Sequence, residues 1–325
     1  MSEQWEVLCP PGIDPVGPSS ISDFATTTSM DAYDSTDAAL DDIASYDAVI
    51  VRVADLDSEV IERADRLKVI AKHGTGLDNV DIEAASEREI IVCNTPGVNA
   101  RSVAEHTIAL LFGIERNLHT ADRHVRSGGW DRGAYTGAEL QDMTLGLMGY
   151  GSIAQETAAI ARGIGLDIII YDPHRDPNAV PDGVDRVKEF IELFERADAV
   201  SLHVPLTEET RNAISTEQLA ALGEHGVLIN TARGGIVDET ALVAALETDT
   251  IRGAALDNFT DEPPSEDHPL FDQDNVLVTP HIGGVTRDAL ARMSRGAAAN
   301  IRTVYEGEIP ESTVNSEALG GEATQ

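Results

Sequence analysis

The feature that most limits how this 325-residue chain can fold is a repeated alternation of short apolar runs with longer stretches of helical period. Residues 48–53, 68–72 and 89–92 read as strands, with a helix over 58–67 between the first two. A second series places strands near 145–149, 168–171, 199–203, Val227–Asn230, Gly253–Leu256 and Val276–Val278. Helices such as 153–162 and 239–246 fall between these strands, and Arg287–Tyr305 reads as a long closing helix. Strands that alternate with helices predict parallel sheets covered on both faces. The length accommodates about two domains, and the second series sets a boundary near residue 101. The helix over 102–115, with Val103, His106, Ile108 and Leu111 on one side, suits a core element and a partner surface equally.

Charge narrows the partners. The chain has 23 basic and 57 acidic residues, a net charge of −34. Nucleic acid is not expected, because phosphate contacts need clustered Lys and Arg, and an anionic membrane surface is equally unfavourable. Only Lys68, Lys72 and Lys188 are lysines. Acid excess spread along the whole chain, with so little lysine, suits a protein adapted to concentrated salt, as in haloarchaea. There the Debye length shrinks to about 3 Å and self-repulsion is screened. A plain acidic cytoplasmic enzyme is the alternative. Cys9 and Cys93 have no metal-ligand spacing and do not define a disulfide scaffold. The first five residues, MSEQW, lack the basic start and apolar core of a leader, and no apolar run reaches membrane-spanning length. A soluble cytoplasmic protein is expected.

Between the strand at 145–149 and the helix at 153–162 lies Gly149, Tyr150, Gly151, Ser152, Ile153 and Ala154, a G-x-G-x-x-A turn. Gly149 permits the tight turn and Gly151 lets the backbone approach a pyrophosphate. Ala154 lets the helix sit close to the sheet, while the helix start at Ser152 and Ile153 offers N–H groups to an anion. Such a turn alone is weak evidence. Asp172, 23 residues beyond Gly149 and at the end of the next strand, strengthens it. A carboxylate there accepts hydrogen bonds from the ribose hydroxyls of NAD and repels the 2′-phosphate of NADP. Arg175 nearby keeps NADP open as the alternative.

Three further stretches put polar groups at predicted strand ends, where open parallel sheets bind ligands. They are 230–238 (NTARGGIVD), 255–263 (ALDNFTDEP) and 278–284 (VTPHIGG). Together with 72–81 (KHGTGLDNVD) and 94–105 (NTPGVNARSVAE), at these spacings, they resemble the D-2-hydroxyacid dehydrogenase family over nearly the whole chain. Within it, 128–132 (GGWDR) and the Val51–Arg52 pair are most similar to the catalytic domains of D-3-phosphoglycerate dehydrogenases. The resemblance implies two Rossmann-like or flavodoxin-like parallel-sheet domains, the nucleotide domain inserted into the substrate domain. Residues 1–100 with 290–325 would form the substrate domain and 101–289 the NAD domain.

The resemblance also carries roles. His281 would exchange the proton of the substrate hydroxyl, Glu262 would pair with it, and Arg233 would bind the substrate carboxylate and carbonyl oxygen. Thr75 and Gly76 would hold the carboxylate through backbone N–H groups. Thr231 and Asp257 would serve the cofactor, Asp257 at the nicotinamide amide. These residue types suit the chemistry. NAD takes the hydride, a neutral imidazole takes the proton while a carboxylate stabilises the imidazolium, and a guanidinium fork matches an α-keto acid. No metal is required. His106 and His203 read as structural or cofactor-adjacent, and Cys93 as a packing residue. Asn258 stands where the family often has an aliphatic residue.

Among substrates, 3-phosphoglycerate leads, with Arg52, Lys72 and Arg132 as candidate phosphate ligands. Glyoxylate, hydroxypyruvate, D-lactate or another 2-keto acid are the alternatives. A more distant one is an NAD-sensing scaffold like the C-terminal-binding-protein corepressors. A homodimer is implied, with the helix from Ser102 as the candidate interface. Residues 308–325 are too short and polar for a regulatory domain, so feedback through one is not expected.

Overall fold

The computed structural model describes residues 4–319. The first three residues, read above for a leader, and the end of the 308–325 tail lie outside them. The chain divides into two compact units, one of residues up to Asn99 with those from Val285 onward, the other Ala100–Gly284.

The first unit is a five-stranded parallel sheet built from β1 (Trp5–Cys9), β2 (Ala25–Ser29), β3 (Ala48–Val51), β4 (Val69–Lys72) and β5 (Ile91–Cys93), in the order β2-β1-β3-β4-β5. Leu8, Ile50 and Ile70 are fully buried in it. β1 and β2 were absent from the sequence expectation, because ATTTS in β2 has no apolar alternation to read. β3 stops two residues short of the expected 53. The carbonyls of Arg52 and Ala54 are taken by the Lys72 and Asn79 side chains instead of a neighbouring strand. The expected helix over 58–67 runs only Ser58–Glu62. Beyond it, i→i+3 bonds from Ala64 and Leu67 turn both buried side chains inward. Arg287–Tyr305 is helical as expected and packs on β4. Cys9 and Cys93 are buried here, and burial pushes both thiols up to about 12.

The second unit is a seven-stranded parallel sheet of β6 (Thr144–Met148), β7 (Asp167–Tyr171), β8 (Asp185–Arg186), β9 (Ala199–Leu202), β10 (Val227–Asn230), β11 (Gly253–Leu256) and β12 (Val276–Val278). Its order, β12-β11-β10-β9-β6-β7-β8, reverses direction between β6 and β9, the doubly wound pattern in which ligands bind at the carboxyl ends of the strands. β9 and β10 are buried along their whole lengths, as strands covered on both faces should be. The helix Ala100–Glu115 is a core element of this unit. Eleven of its sixteen residues are buried, and it packs on the helix Ser152–Gly163 and on β10. Of the remaining residues of this helix, Phe112 is an exposed apolar side chain. The helix after it, Leu118–Arg126, buries none of its residues within the unit. No helix among the described residues is long and apolar enough to cross a membrane.

Candidate active site

In the second unit the turn after β6 has the form its residues predict. Gly149 has φ +88°, and a Cβ there would sit 2.8 Å from the His203 carbonyl oxygen, so no other residue fits without displacing the end of β9. Gly151 precedes the helix Ser152–Gly163 with no side-chain cap, and the space where its Cβ would point is open. Ala154 is fully buried against the sheet. Uncapped helical N–H groups beside an open backbone fit a pyrophosphate. Asp172 is anchored at the end of β7. Its Oδ2 accepts from the Tyr150 N–H (2.9 Å) and its Oδ1 from the N–H groups of His174 and Arg175. It therefore fixes the glycine turn with its carboxylate at the strand end. Arg175 lies over the Tyr150 ring at 5.8 Å and donates to the Ala179 carbonyl. Burial lowers the pKa of His203 to about 3, and it is the backbone carbonyl of this residue that meets the turn.

The loops after β10, β11 and β12 bring three sequence-predicted residues into one cluster of contacts. Asn230, buried at the end of β10, donates to the Arg233 carbonyl (2.8 Å) and accepts from the Ala232 N–H (3.0 Å), stapling the loop that presents Arg233. Arg233 Nη1 donates to the Ala232 carbonyl. A Cβ on Gly234 would lie 1.9 Å from the Phe259 carbonyl carbon, so this glycine allows the Arg233 loop to pack directly on the 259–260 backbone. Three residues on, Glu262 Oε1 accepts from the Phe259 N–H (3.1 Å), and its Oε2 accepts from His281 Nδ1 (2.7 Å). With Nδ1 carrying a proton toward Glu262, Nε2 is the nitrogen of His281 that can exchange one. The imidazole is about half exposed, at 50%. His281 sits at φ 51°, in the left-handed region, where its N–H reaches the Asp257 and Thr279 carbonyls.

Asp257 is 2% exposed and both its oxygens are occupied. Oδ1 accepts from the Thr279 hydroxyl (2.6 Å), the Ile282 N–H (2.9 Å) and His106 Nε2 (3.3 Å), and Oδ2 from the Gly283 N–H (2.8 Å). Burial alone would raise this carboxyl, but the bonds from His106, Thr279 and the two backbone groups outweigh it and hold the pKa low. Asp257 thus shapes the His281 loop, and His106 helps it. Thr231, at the end of β10, shares a hydroxyl contact with Thr107 (2.9 Å). Asn258 is buried with no partner for either side-chain atom among the described residues. No group of three His, Cys, Asp or Glu side chains among the described residues is arranged to hold a metal.

The remaining expected residues belong to the first unit, apart from Arg132, which is exposed two residues after the exposed Trp130. Lys72 is only 7% exposed, and its ammonium donates to the Arg52 carbonyl (2.7 Å) and to Asn79 Oδ1. Asn79 in turn holds Ala54 and Leu56, so the loop after β3 is tied from two sides. His73 is buried; burial first, then the charge of Arg52, lowers its pKa. The turn at Gly74 and Thr75 is pinned through its carbonyls by Thr95 and Asn94. Among the described residues neither Thr75 nor Gly76 spends its backbone N–H on another group.

Residues 108–283 match the model of the D-isomer specific 2-hydroxyacid dehydrogenase NAD-binding domain. The chain is 44% identical over 256 residues to the D-3-phosphoglycerate dehydrogenase of Methanocaldococcus jannaschii, a match covering 78% of this chain and 48% of that one. It therefore spans about half the length of that relative. It is 40% identical over 265 residues to the glyoxylate reductase of Thermococcus litoralis, covering 79% of this chain and 80% of the other. The structure of the NADPH-dependent glyoxylate/hydroxypyruvate reductase from Sinorhizobium meliloti, with NADP and malonate, superposes with a TM-score of 0.85 at 29% identity over 99% of this chain and 100% of that one. The chain belongs to the D-isomer specific 2-hydroxyacid dehydrogenase family, and its second unit is the NAD-binding domain.

Proposed function

We propose that the protein interconverts a small D-2-hydroxy acid and its 2-keto acid with NAD. The observation that carries this reading is the His281–Glu262 pair, held at 2.7 Å beside a loop that presents Arg233. Bound NAD supplies the hydride chemistry. His281 Nε2 exchanges the hydroxyl proton, and Glu262 orients the ring and stabilises the imidazolium. The Arg233 guanidinium binds the carboxylate and polarises the carbonyl oxygen. Thr75 and Gly76 N–H groups are the carboxylate donors of the first unit. Asp172, anchored as an anion at the end of β7, favours NAD over NADP. Asp172→Ala should narrow that preference, and a wild-type preference for NADPH would overturn it.

For the substrate we propose 3-phosphoglycerate, oxidised to 3-phosphohydroxypyruvate, with Arg52 and Arg132 as phosphate ligands. A specific observation favours a second reading, glyoxylate or hydroxypyruvate reduction. Lys72, the third expected cation, is spent inside its own unit, which leaves fewer charges for a dianion. A panel of 2-hydroxy and 2-keto acids with NAD(H) and NADP(H) in high salt decides between them. Turnover of none would return the corepressor-like scaffold. We also propose a homodimer formed through the helix Leu118–Arg126 and Trp130, where Leu118, Val125 and Trp130 are exposed. Sedimentation in molar salt tests it; a monomer refutes it. Salt adaptation predicts a melting temperature that falls in dilute buffer. An unchanged melt counts against it.

A further inference from the structure

Behind the His281–Glu262 pair the second unit contains another histidine–glutamate pair that the sequence reading passed over. The Leu270 N–H donates to His268 Nδ1 (3.3 Å), so that nitrogen bears no proton and caps the short turn Pro269–Asp272. The proton is therefore on Nε2, which lies 3.2 Å from Glu239 Oε2 and donates to it. The other oxygen of Glu239 accepts from the Thr260 N–H (2.8 Å). The His268 ring also packs edge-on against Phe259 (5.5 Å) and lies against Phe271 (5.4 Å). Phe259 and Thr260 are the backbone on which Glu262 rests, through the Phe259 N–H. The two pairs differ in setting: His268 and Glu239 side chains are 16% and 20% exposed, His281 and Glu262 50% and 39%. An exposed carboxylate at the end of a loop holds its rotamer only if the loop is held.

We infer that Glu239 and His268 are positioning residues for the proton-exchanging pair. His268 orients Glu239, Glu239 fixes the Thr260 N–H, and the fixed 259–260 backbone aims Glu262 at His281 Nδ1. The inference rests on the reading of His281 as the acid/base.

The test uses the full chain in high salt, with NADH and whichever of glyoxylate, hydroxypyruvate and 3-phosphohydroxypyruvate it reduces fastest. His268→Asn keeps an oxygen to cap the 269–272 turn but is too short to reach Glu239. It should lower kcat by about tenfold, a fraction of what general acid–base catalysis contributes, and leave the Kd for NADH unchanged. Its pH–rate profile should move in the same direction as that of Glu262→Gln. On the E262Q background H268N should cost nothing further, because both act through one contact. Glu239→Gln satisfies either Thr260 or His268 but not both, and should reproduce the loss if H268N does not fold. Unchanged kcat and pH profile in both variants, or a full additional loss on the E262Q background, would overturn the inference. His281→Asn is measured alongside. If it retains turnover, the reading of His281 fails; if H281N and E262Q fall while H268N and E239Q do not, only the brace fails.

Discussion

The carboxyl ends of the two parallel sheets solve the same problem in different ways. At the end of β4, in the first unit, a lysine is turned inward: Lys72 is buried and ties the Arg52 loop to Asn79. What that unit leaves for an anion is backbone, at Thr75 and Gly76, and the half-buried Arg52. After β10, β11 and β12, in the second unit, the His281 and Glu262 side chains are open to solvent and their supports are buried. Asn230 and Asp257 are 1% and 2% exposed, His281 is half exposed. On the proposed function, one region would recognise with a braced scaffold and the other react with braced side chains. Changes in the second should therefore affect every substrate alike, and changes in the first should separate one substrate from another.

The largest effect expected is from His281→Asn, which should keep NADH binding and lower kcat by about 100-fold or more. Asn tolerates the left-handed backbone at this position, so a folded variant isolates the chemistry. Retained turnover would remove the second unit's side of the comparison. Next, Gly234→Ala should destabilise by at least the about 1–3 kcal/mol typical of overpacking and depress kcat with all substrates, since it pushes the Arg233 loop off Phe259. A melt and a kcat at wild-type values would show that the contact is slack. Asp257→Asn puts a donor where four donors now converge and should cost about 2 kcal/mol in a denaturant melt. Asp257 has a folded pKa below its unfolded one. Its contribution is thus full above the unfolded carboxylate pKa and is lost as pH falls through the lower, folded value. The stability gap between D257N and wild type should therefore close in strong acid; a gap independent of pH refutes this. The smallest and most discriminating change is Arg52→Ala. It should weaken kcat/KM for 3-phosphoglycerate by about 1–2 kcal/mol and barely touch glyoxylate. Equal losses on both would erase the distinction between the regions.

Much of this was legible before any coordinates. Six of the seven strands of the second unit follow from their apolar runs, with β10, β11 and β12 at their observed bounds; β8, the two polar residues Asp185 and Arg186 at the sheet edge, was not legible. β1 and β2 were not legible, because pairing to neighbours, rather than alternation, makes strands of WEVLC and ATTTS. The motif stretches named His281, Glu262 and Arg233, and the structure adds how they are held. Nothing in the order of residues says that Gly234 meets Phe259, that Lys72 is consumed by its own unit, or that Glu239 reaches Thr260. Those are contacts between loops far apart in the chain. His268 caps the turn that starts at Pro269, but histidine is not one of the usual capping residues, so this contact too was not legible.

The two cysteines have a practical consequence. Cys9 and Cys93 are the chain's only thiols, and burial keeps both protonated and shielded at neutral pH. A third thiol introduced at an exposed position, such as Val53, would be the one that a maleimide dye modifies. The wild-type chain is in effect already a cysteine-free background for fluorescence or spin labelling, with no substitutions needed in its core.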